Sequence, residues 1–198
     1  MSDFPVLLET PRLRVILPPV SFAPRYLAYV QRNREHLAPW EPIRTDEYFT
    51  DSFWRARILA DLQDFSADRA VRLGIQWRHE PGGDVIGFCN FNHIIRGAFQ
   101  AATLGYSLDR RAVGQGVMFE ALRAAITYMF QDLGLHRVMA NYMPTNERSG
   151  GLLRRLGFVV EGYARDYLFI NGAWRDHVLT ALTNPDPRPA STPPLLLR

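Results

Sequence analysis

The sequence predicts a mixed α/β (α+β) domain built around antiparallel hairpins, not a doubly wound parallel sheet. Three observations predict it. Apolar residues alternate at Leu13, Val15 and Leu17, which is a strand period. Two turn signals, Pro81-Gly82-Gly83-Asp84 and Asn171-Gly172, lie between strand-like runs, and Asn-Gly is the strongest short hairpin signal. Met118, Leu122, Ala125, Met129 and Leu133 recur at helical spacing between two further strand-like segments.

The elements follow in order. A first strand is expected near 12–17. Ser21 can cap a helix that carries Phe22, Tyr26, Leu27 and Val30, and His36–Pro42 (HLAPWEP) breaks it. Thr50 or Asp51 starts a second helix with Phe53, Trp54, Ile58, Leu59 and Leu62 on one side. Strands are expected at 70–78, 85–95 and 99–108. A loop with two glycines then opens the helix through Met118. Residues 136–143 form a strand. Residues 146–156 form a short helix closed by Gly157, which can take the left-handed position after a helix. Strands at 158–170 and 173–182 flank Asn171-Gly172.

Of the 14 prolines, seven lie in residues 1–42 and five in 185–198. This punctuation sets one domain over residues 1–183 and an extended Pro-rich tail over 184–198. The 198 residues contain a single cysteine, Cys89, which excludes a disulfide framework and any zinc site with several thiolates. Cys89 is read as a small buried hydrophobe. All 23 basic residues are arginine. The absence of lysine removes Schiff-base, pyridoxal-phosphate and P-loop chemistry. No run of 18 apolar residues and no signal peptide is visible, so a cytoplasmic protein is expected. The formal charge of +3 permits contact with anions without demanding it.

Chemistry concentrates in two segments. In LGYSLDRRAVGQGVMFEA (104–121) a strand runs through Val113-Gly114-Gln115-Gly116 into an amphipathic helix. The first turn of a helix has unpaired N–H groups at the positive end of its dipole, and glycines let a phosphate approach them. A phosphate or pyrophosphate site is expected there. Three other loops are excluded. Phe119 stands where a dinucleotide fingerprint needs glycine, a P-loop needs lysine, and Gly105-Tyr106-Ser107-Leu108-Asp109 ends in Asp where a nucleophile elbow needs glycine. In the second segment, NYMPTNERSGGLLRRLGFVVEG (141–162), Asn146 opens a helix, where it can cap or can hydrogen-bond an amide of an extended cofactor arm.

Together, about thirty residues apart, these segments resemble the two cofactor motifs of the GNAT family, the acetyl-coenzyme A-dependent N-acetyltransferases. Within that family the resemblance is to the RimJ type, which acetylates an N-terminal alanine of a small-subunit ribosomal protein. It is carried by His36–Pro42, Phe91–Phe99, Gly105–Ser107, Met139–Asn146 and Gly162–Leu182, and covers about residues 8–185. The resemblance implies a splayed, mostly antiparallel sheet flanked by helices. It implies acetyl-coenzyme A held by Ser107, Leu108, Val113, Gly114, Gln115, Gly116, Val117, Met118 and Asn146, with no metal. It implies as partner a protein or peptide N-terminus, with no membrane and no primary role for nucleic acid; monomer and dimer both stay open. The sequence departs from the family pattern at Val113 (Gln or Arg in the family), Met118 (a small residue), Leu153 (a Tyr acid) and Asn141 (a Glu base). Backbone N–H groups do most of the phosphate binding, so the loop is expected to work.

The reaction implied is direct attack of an amine on a thioester. A free α-amine, pKa about 7.7–8.0, is roughly a tenth neutral at pH 7, whereas a lysine amine near 10.4 is neutral in well under ~0.1% of molecules. Weak acid and base groups therefore suit an N-terminal substrate. Glu161 is the first candidate base, followed by His93 and Glu41. Ser149 is the candidate donor to the departing thiolate. Trp40, Phe91, Tyr142, Tyr167 and Trp174 are read as core residues. Asp166 and Asp176 can pair with a substrate or with Arg165 and Arg175. Two other readings stand beside this one: a small-molecule N-acetyltransferase, and a non-catalytic ribosome-associated binding protein.

Overall fold

The structure, a computed structural model, describes residues 7–80 and 82–186. Pro81 of the first expected turn and most of the expected tail lie outside these residues. Eight strands form one sheet: β1 (Leu7–Glu9), β2 (Leu13–Ile16), β3 (Val71–Trp77), β4 (Gly87–Ile95), β5 (Ala101–Leu108), β6 (Arg137–Tyr142), β7 (Val159–Ile170) and β8 (Ala173–Thr183), in the order β1-β2-β3-β4-β5-β6-β8-β7. Every pairing is antiparallel except β5 with β6. The helices are α1 (Ala23–Arg32), α2 (Arg34–Leu37), α3 (Asp51–Ser66), α4 (Val117–Gln131) and α5 (Glu147–Arg155).

Strand alternation sorts the side chains into two cores. On one face α4 buries Val117, Leu122, Ala125 and Met129 against Leu13, Val15, Leu73, Phe91, Leu104 and Val138. On the other, α1 and α3 bury Tyr26, Tyr29, Trp54 and Ile58 against Ile16 and Phe88. Tyr26 and Phe88 stack with ring centroids 4.8 Å apart.

Several local expectations hold. Thr50 caps α3 by accepting from the Phe53 N–H. Asn171 and Gly172 both have positive φ (47° and 77°), as a type I′ hairpin turn requires. Gly157 closes α5 with φ 93°. Cys89 is fully buried, and burial pushes its thiol pKa up. Others need correction. The strand expected near 12–17 is β2, and it is preceded by a short strand, β1, that the sequence reading does not include. Ser21 does not cap α1, because a 3-10 turn over Val20–Phe22 intervenes and α1 begins at Ala23 with a proline in its first turn. Leu59 faces solvent, since the buried face of α3 runs through Trp54, Ile58 and the paired Asp61 at helical spacing. Trp40, Tyr167 and Trp174 are exposed, not core. Asp176 accepts from the Tyr163 hydroxyl (2.6 Å) and the Asp166 N–H (2.9 Å) rather than pairing with an arginine.

No described helix is long and apolar enough to cross a membrane.

Candidate active site

The parallel contact between β5 and β6 is short. It runs through Ala101↔Arg137, Ala102↔Val138 and Thr103↔Met139 and then stops. Beyond it β5 stays paired with β4 to Leu108, and β6 stays paired with β8 to Tyr142. The two strands therefore diverge. The inner edges of 104–108 and 140–142 are left with backbone donors and acceptors but no strand partner on that side. Such groups need a partner, and an extended ligand carrying amides supplies one.

Both strands lead into helices at the open end. After β5, Asp109 caps a 3-10 turn over Arg110–Ala112, and the chain reaches Gly114 (φ 81°) and Gly116 (φ 74°) before α4. Both glycines occupy the left-handed region that other residues avoid. A Cβ on Gly105 or Gly114 would meet nothing within 4 Å, so both face open space. Val117 and Met118 are buried in the core, and what they offer the cleft is their N–H groups. Unpaired N–H groups at the positive end of a helix, beside open space, are an arrangement able to receive an anion.

After β6, Asn146 caps α5, its Oδ1 accepting from the Ser149 N–H (3.1 Å). Tyr142 packs against the helix backbone, and a Cβ on Gly150 would stand 2.7 Å from its ring. The Ser149 hydroxyl is 2.7 Å from the Tyr106 hydroxyl, which reaches across from β5. Burial pushes the Tyr106 phenol up to about 12, against the Ser149 hydrogen bond, so it is protonated at neutral pH. This bond joins the two diverging arms. On the opposite face of β5, the Ser107 hydroxyl accepts from Tyr29 of α1 (2.9 Å).

The loop is anchored from below by a buried network. The Asp109 side chain is 1% exposed and accepts from Arg32 (2.7 Å) and from the Arg111 N–H (2.9 Å). Burial alone would raise its pKa, but hydrogen bonds from Arg111 and Arg32 hold the carboxyl well below the usual carboxylate range. Asn33, also buried, accepts from the Arg110 N–H (3.0 Å).

The candidate bases are scattered. Glu161 is the extra residue of a β-bulge between Val160 and Gly162 on the edge strand β7, and its carboxylate is ion-paired with Arg137 at the closed end of the β5–β6 contact. His93 sits in a bulge of β4 with φ 51°, exposed, its Nδ1 3.1 Å from Thr103 Oγ1. Glu41 lines a cleft of about 180 Å³ with Val30, Arg34, Tyr48, Phe49 and Asn171. The hairpin tip closes this cleft, the Asn171 N–H donating to the Glu41 carbonyl (3.0 Å). Burial pushes the Tyr29 hydroxyl upward against its bond to Ser107, and the Glu41 carboxylate adds to that upward push. The Glu41 carboxylate itself is paired with Arg44 (3.2 Å). Leu153, at the position of the family's Tyr acid, is buried, and Asn141 donates to the Tyr167 hydroxyl (3.2 Å).

Comparison with known proteins agrees with this geometry. A family profile described as acetyltransferase (GNAT) domain matches residues 14–159. The chain belongs to the GNAT acetyltransferase family. The [ribosomal protein uS5]-alanine N-acetyltransferase of Escherichia coli (strain K12) is 49% identical over 181 residues, covering 91% of this chain and 92% of that protein. The crystal structure of the ribosomal-protein-S5-alanine acetyltransferase from Vibrio fischeri superposes with a TM-score of 0.88 at 40% identity, covering 93% of this chain and all of the other. Mycobacterium smegmatis RimJ, solved in complex with CoA-disulfide, superposes with a TM-score of 0.82 at 25% identity, covering 93% and 89%. The protein is therefore an acetyl-coenzyme A-dependent acyltransferase on the GNAT fold, with the mostly antiparallel, splayed sheet expected of that family.

Tyr106 is the residue that sequence reasoning missed. Its position on a strand facing a helix core reads as packing, and only the path of α5 past its hydroxyl reveals the polar contact.

Proposed function

We propose that this protein acetylates the α-amine of the N-terminal alanine of ribosomal protein uS5, in the cytoplasm where ribosomal proteins are made. The observation that carries the reading is the 49% identity, along nine-tenths of both chains, to an enzyme named for that reaction. The amine arithmetic supports it, because this site holds modest polar groups suited to an amine that is partly neutral at pH 7.

The thioester of acetyl-coenzyme A supplies an activated acetyl carbon. Gly114, Gln115, Gly116, Val117 and Met118 present N–H groups to its pyrophosphate, with Val113 setting the extended approach to the loop. The free edges at Ser107–Leu108 and at Tyr142, with Asn146 beside them, receive the pantetheine amides. Backbone N–H groups along the splay stabilise the oxyanion. Glu41 receives the incoming amine in the cleft it lines and takes its proton. Its carboxylate carries an arginine partner, Arg44 (3.2 Å), as that of Glu161 carries Arg137; what favours Glu41 is that it lines a cleft, whereas Glu161 lies on the edge strand at the closed end of the β5–β6 contact. Ser149 donates a hydrogen bond to the departing thiolate while Tyr106 donates to Ser149, so the two hydroxyls together stabilise the sulfur's charge and both keep their protons; the thiolate leaves as such and is protonated by solvent. Ser149→Ala and Tyr106→Phe are each expected to lower kcat about tenfold. Because the hydroxyls act as a chain, the double variant should be little worse than either single variant in steady-state assays. Strictly additive losses would separate the two roles.

The test is thiol release from acetyl-coenzyme A with the uS5 N-terminal peptide, the same peptide with a blocked N-terminus, a lysine peptide and a panel of small amines. Turnover confined to the free N-terminal peptide is expected. Turnover confined to small amines would sink the substrate assignment. With the peptide, Glu41→Gln should cost about tenfold at pH 7, since about 1 kcal/mol is all the help an α-amine needs. The deficit should shrink above pH 8.5, where the amine is already neutral. A deficit unchanged by pH would remove Glu41 as base.

A further inference from the structure

The β1–β2 turn reaches the pyrophosphate loop from outside both cofactor motifs. Arg12, in that turn, makes three contacts there. Its Nε donates to Glu120 Oε2 (2.6 Å), its backbone N–H donates to Glu120 Oε1 (3.0 Å), and its Nη1 donates to the Gln115 carbonyl (2.9 Å). Thr10 adds a fourth bond, its hydroxyl donating to Glu120 Oε1 (2.6 Å), while Thr10 Oγ1 accepts from the Leu13 N–H (3.0 Å). Arg12 Nη2 stands 3.7 Å from where a Gly116 Cβ would be. Gln115 is held from its other side, its Nε2 donating to the Arg111 carbonyl (2.8 Å).

Glu120 lies in the first turn of α4 with its side chain only 14% exposed. A carboxylate there favours the helix, because it sits at the positive end of the dipole. The same end must attract the doubly charged pyrophosphate of coenzyme A, which a bare carboxylate would repel. The two demands conflict unless the carboxylate is neutralised where it stands. The guanidinium does this and, with its second nitrogen, fixes the carbonyl of the loop residue between the two glycines. Fixing that carbonyl also fixes the Gly116 N–H on the opposite side of the same peptide plane, because a trans peptide points its C=O and N–H in opposite directions.

The geometry points to Arg12 as the positioning residue of the pyrophosphate loop: it neutralises Glu120 and locks the Gln115 carbonyl so that the loop receives the coenzyme A pyrophosphate. The inference rests on the acetyl-coenzyme A dependence of the family and not on which acceptor the protein modifies. Burial would raise the Glu120 carboxyl, but the bonds from Thr10 and Arg12 hold it below its ordinary value, so it is charged at neutral pH and needs its partner.

The experiment is calorimetric titration of coenzyme A into the full chain and into Arg12→Ala, Arg12→Lys, Glu120→Gln and the Arg12→Ala/Glu120→Gln double variant. Each protein's Tm and steady-state kinetics are measured in parallel. Arg12→Ala should weaken coenzyme A binding about tenfold, the size of one charge-assisted hydrogen bond. KM for acetyl-coenzyme A should rise with it, while kcat at saturation moves less than twofold. Adding Glu120→Gln should recover part of that loss, because the repelling charge is gone. Arg12→Lys should recover less than the added Glu120→Gln, since one ammonium cannot serve the carboxylate and the carbonyl together. The coenzyme A readout needs no acceptor, so its outcome is separate from that of the uS5 assignment. Coenzyme A affinity within twofold of the parent in Arg12→Ala would overturn the proposal. So would a kcat that falls with Tm while affinity holds. If Arg12→Ala fails to fold, Arg12→Lys and Glu120→Gln carry the same comparison.

Discussion

Asp109→Ala should destabilise the protein by about 3–5 kcal/mol, the usual cost of removing one partner from a buried ion pair. For a chain of this length that corresponds to a fall in Tm of about 10–15 °C. The size follows from what is left behind. Arg32 keeps the Val85 carbonyl and a looser contact with Asp84, but its Nε loses the 2.7 Å bond to a carboxylate that is almost fully enclosed. The Arg111 N–H loses its acceptor as well, and with it the 3-10 turn that leads into the glycine loop. Coenzyme A affinity should therefore fall along with stability. Asp109→Asn should cost less, because an amide oxygen still accepts from the Arg111 N–H. The pH dependence has a defined sign. The folded carboxyl titrates below its unfolded value of about 3.9, so its contribution is complete above that value and is lost as pH falls further. Asp61 works in the opposite sense, since burial raises its pKa despite Arg57 and Arg72. Urea unfolding at pH 6 and pH 3.5 should show the parent losing more stability than Asp109→Ala across that interval. An equal loss in both proteins would separate Asp109 from the acid limb.

The legible parts of this molecule are those fixed by neighbours in sequence. Asn146 announces a cap, Asn171-Gly172 a hairpin, and Gly114-Gln115-Gly116 a loop that opens a helix. Each is a local backbone requirement met by one residue type. Hydrophobic spacing placed α4 and the central strands for the same reason. The illegible parts depend on distance or register. Strand β1 has three residues, too few to show a period. Arg32 meets Asp109 across 77 residues and Arg12 meets Glu120 across 108, and no local pattern links them. Glu161, a candidate base by its place on a strand, is the extra residue of the bulge at Val160/Gly162, and its exposed carboxylate pairs with Arg137, 24 residues away in sequence. Tyr106 is the reverse case, an apparent core aromatic whose hydroxyl ends in the site. A sequence therefore shows a glycine loop at the head of a helix better than it shows the surroundings of a candidate acid or base. The loop is made of backbone conformations, whereas those surroundings are made by contacts between elements.

Gly116→Val should have the largest effect on activity. The residue is the N-cap of α4 with φ 74° and ψ 5°, and its neighbour space holds only the Arg12 guanidinium. A β-branched residue in the left-handed region costs about 1–2 kcal/mol in backbone strain alone. The chain can relieve that strain only by rotating the peptide that aims the first N–H groups of α4 at the cleft. Losing one hydrogen bond to a charged oxygen costs about 1.5–3 kcal/mol, or about 10–100-fold in affinity. KM for acetyl-coenzyme A should rise by about that factor, with the isopropyl group also crowding the Arg12 guanidinium that holds the loop. Strain by itself would produce a less stable protein that binds normally, so a matched control is needed. Gly97 has nearly the same backbone, φ 71°, in the turn between β4 and β5, with nothing within 4 Å of an added Cβ. Gly97→Val should lose similar stability by thermal denaturation and keep its affinity for coenzyme A. If both variants weaken coenzyme A equally, the effect is general loosening of the fold. If Gly116→Val alone does so, the N–H groups at the head of α4 hold the cofactor's charge.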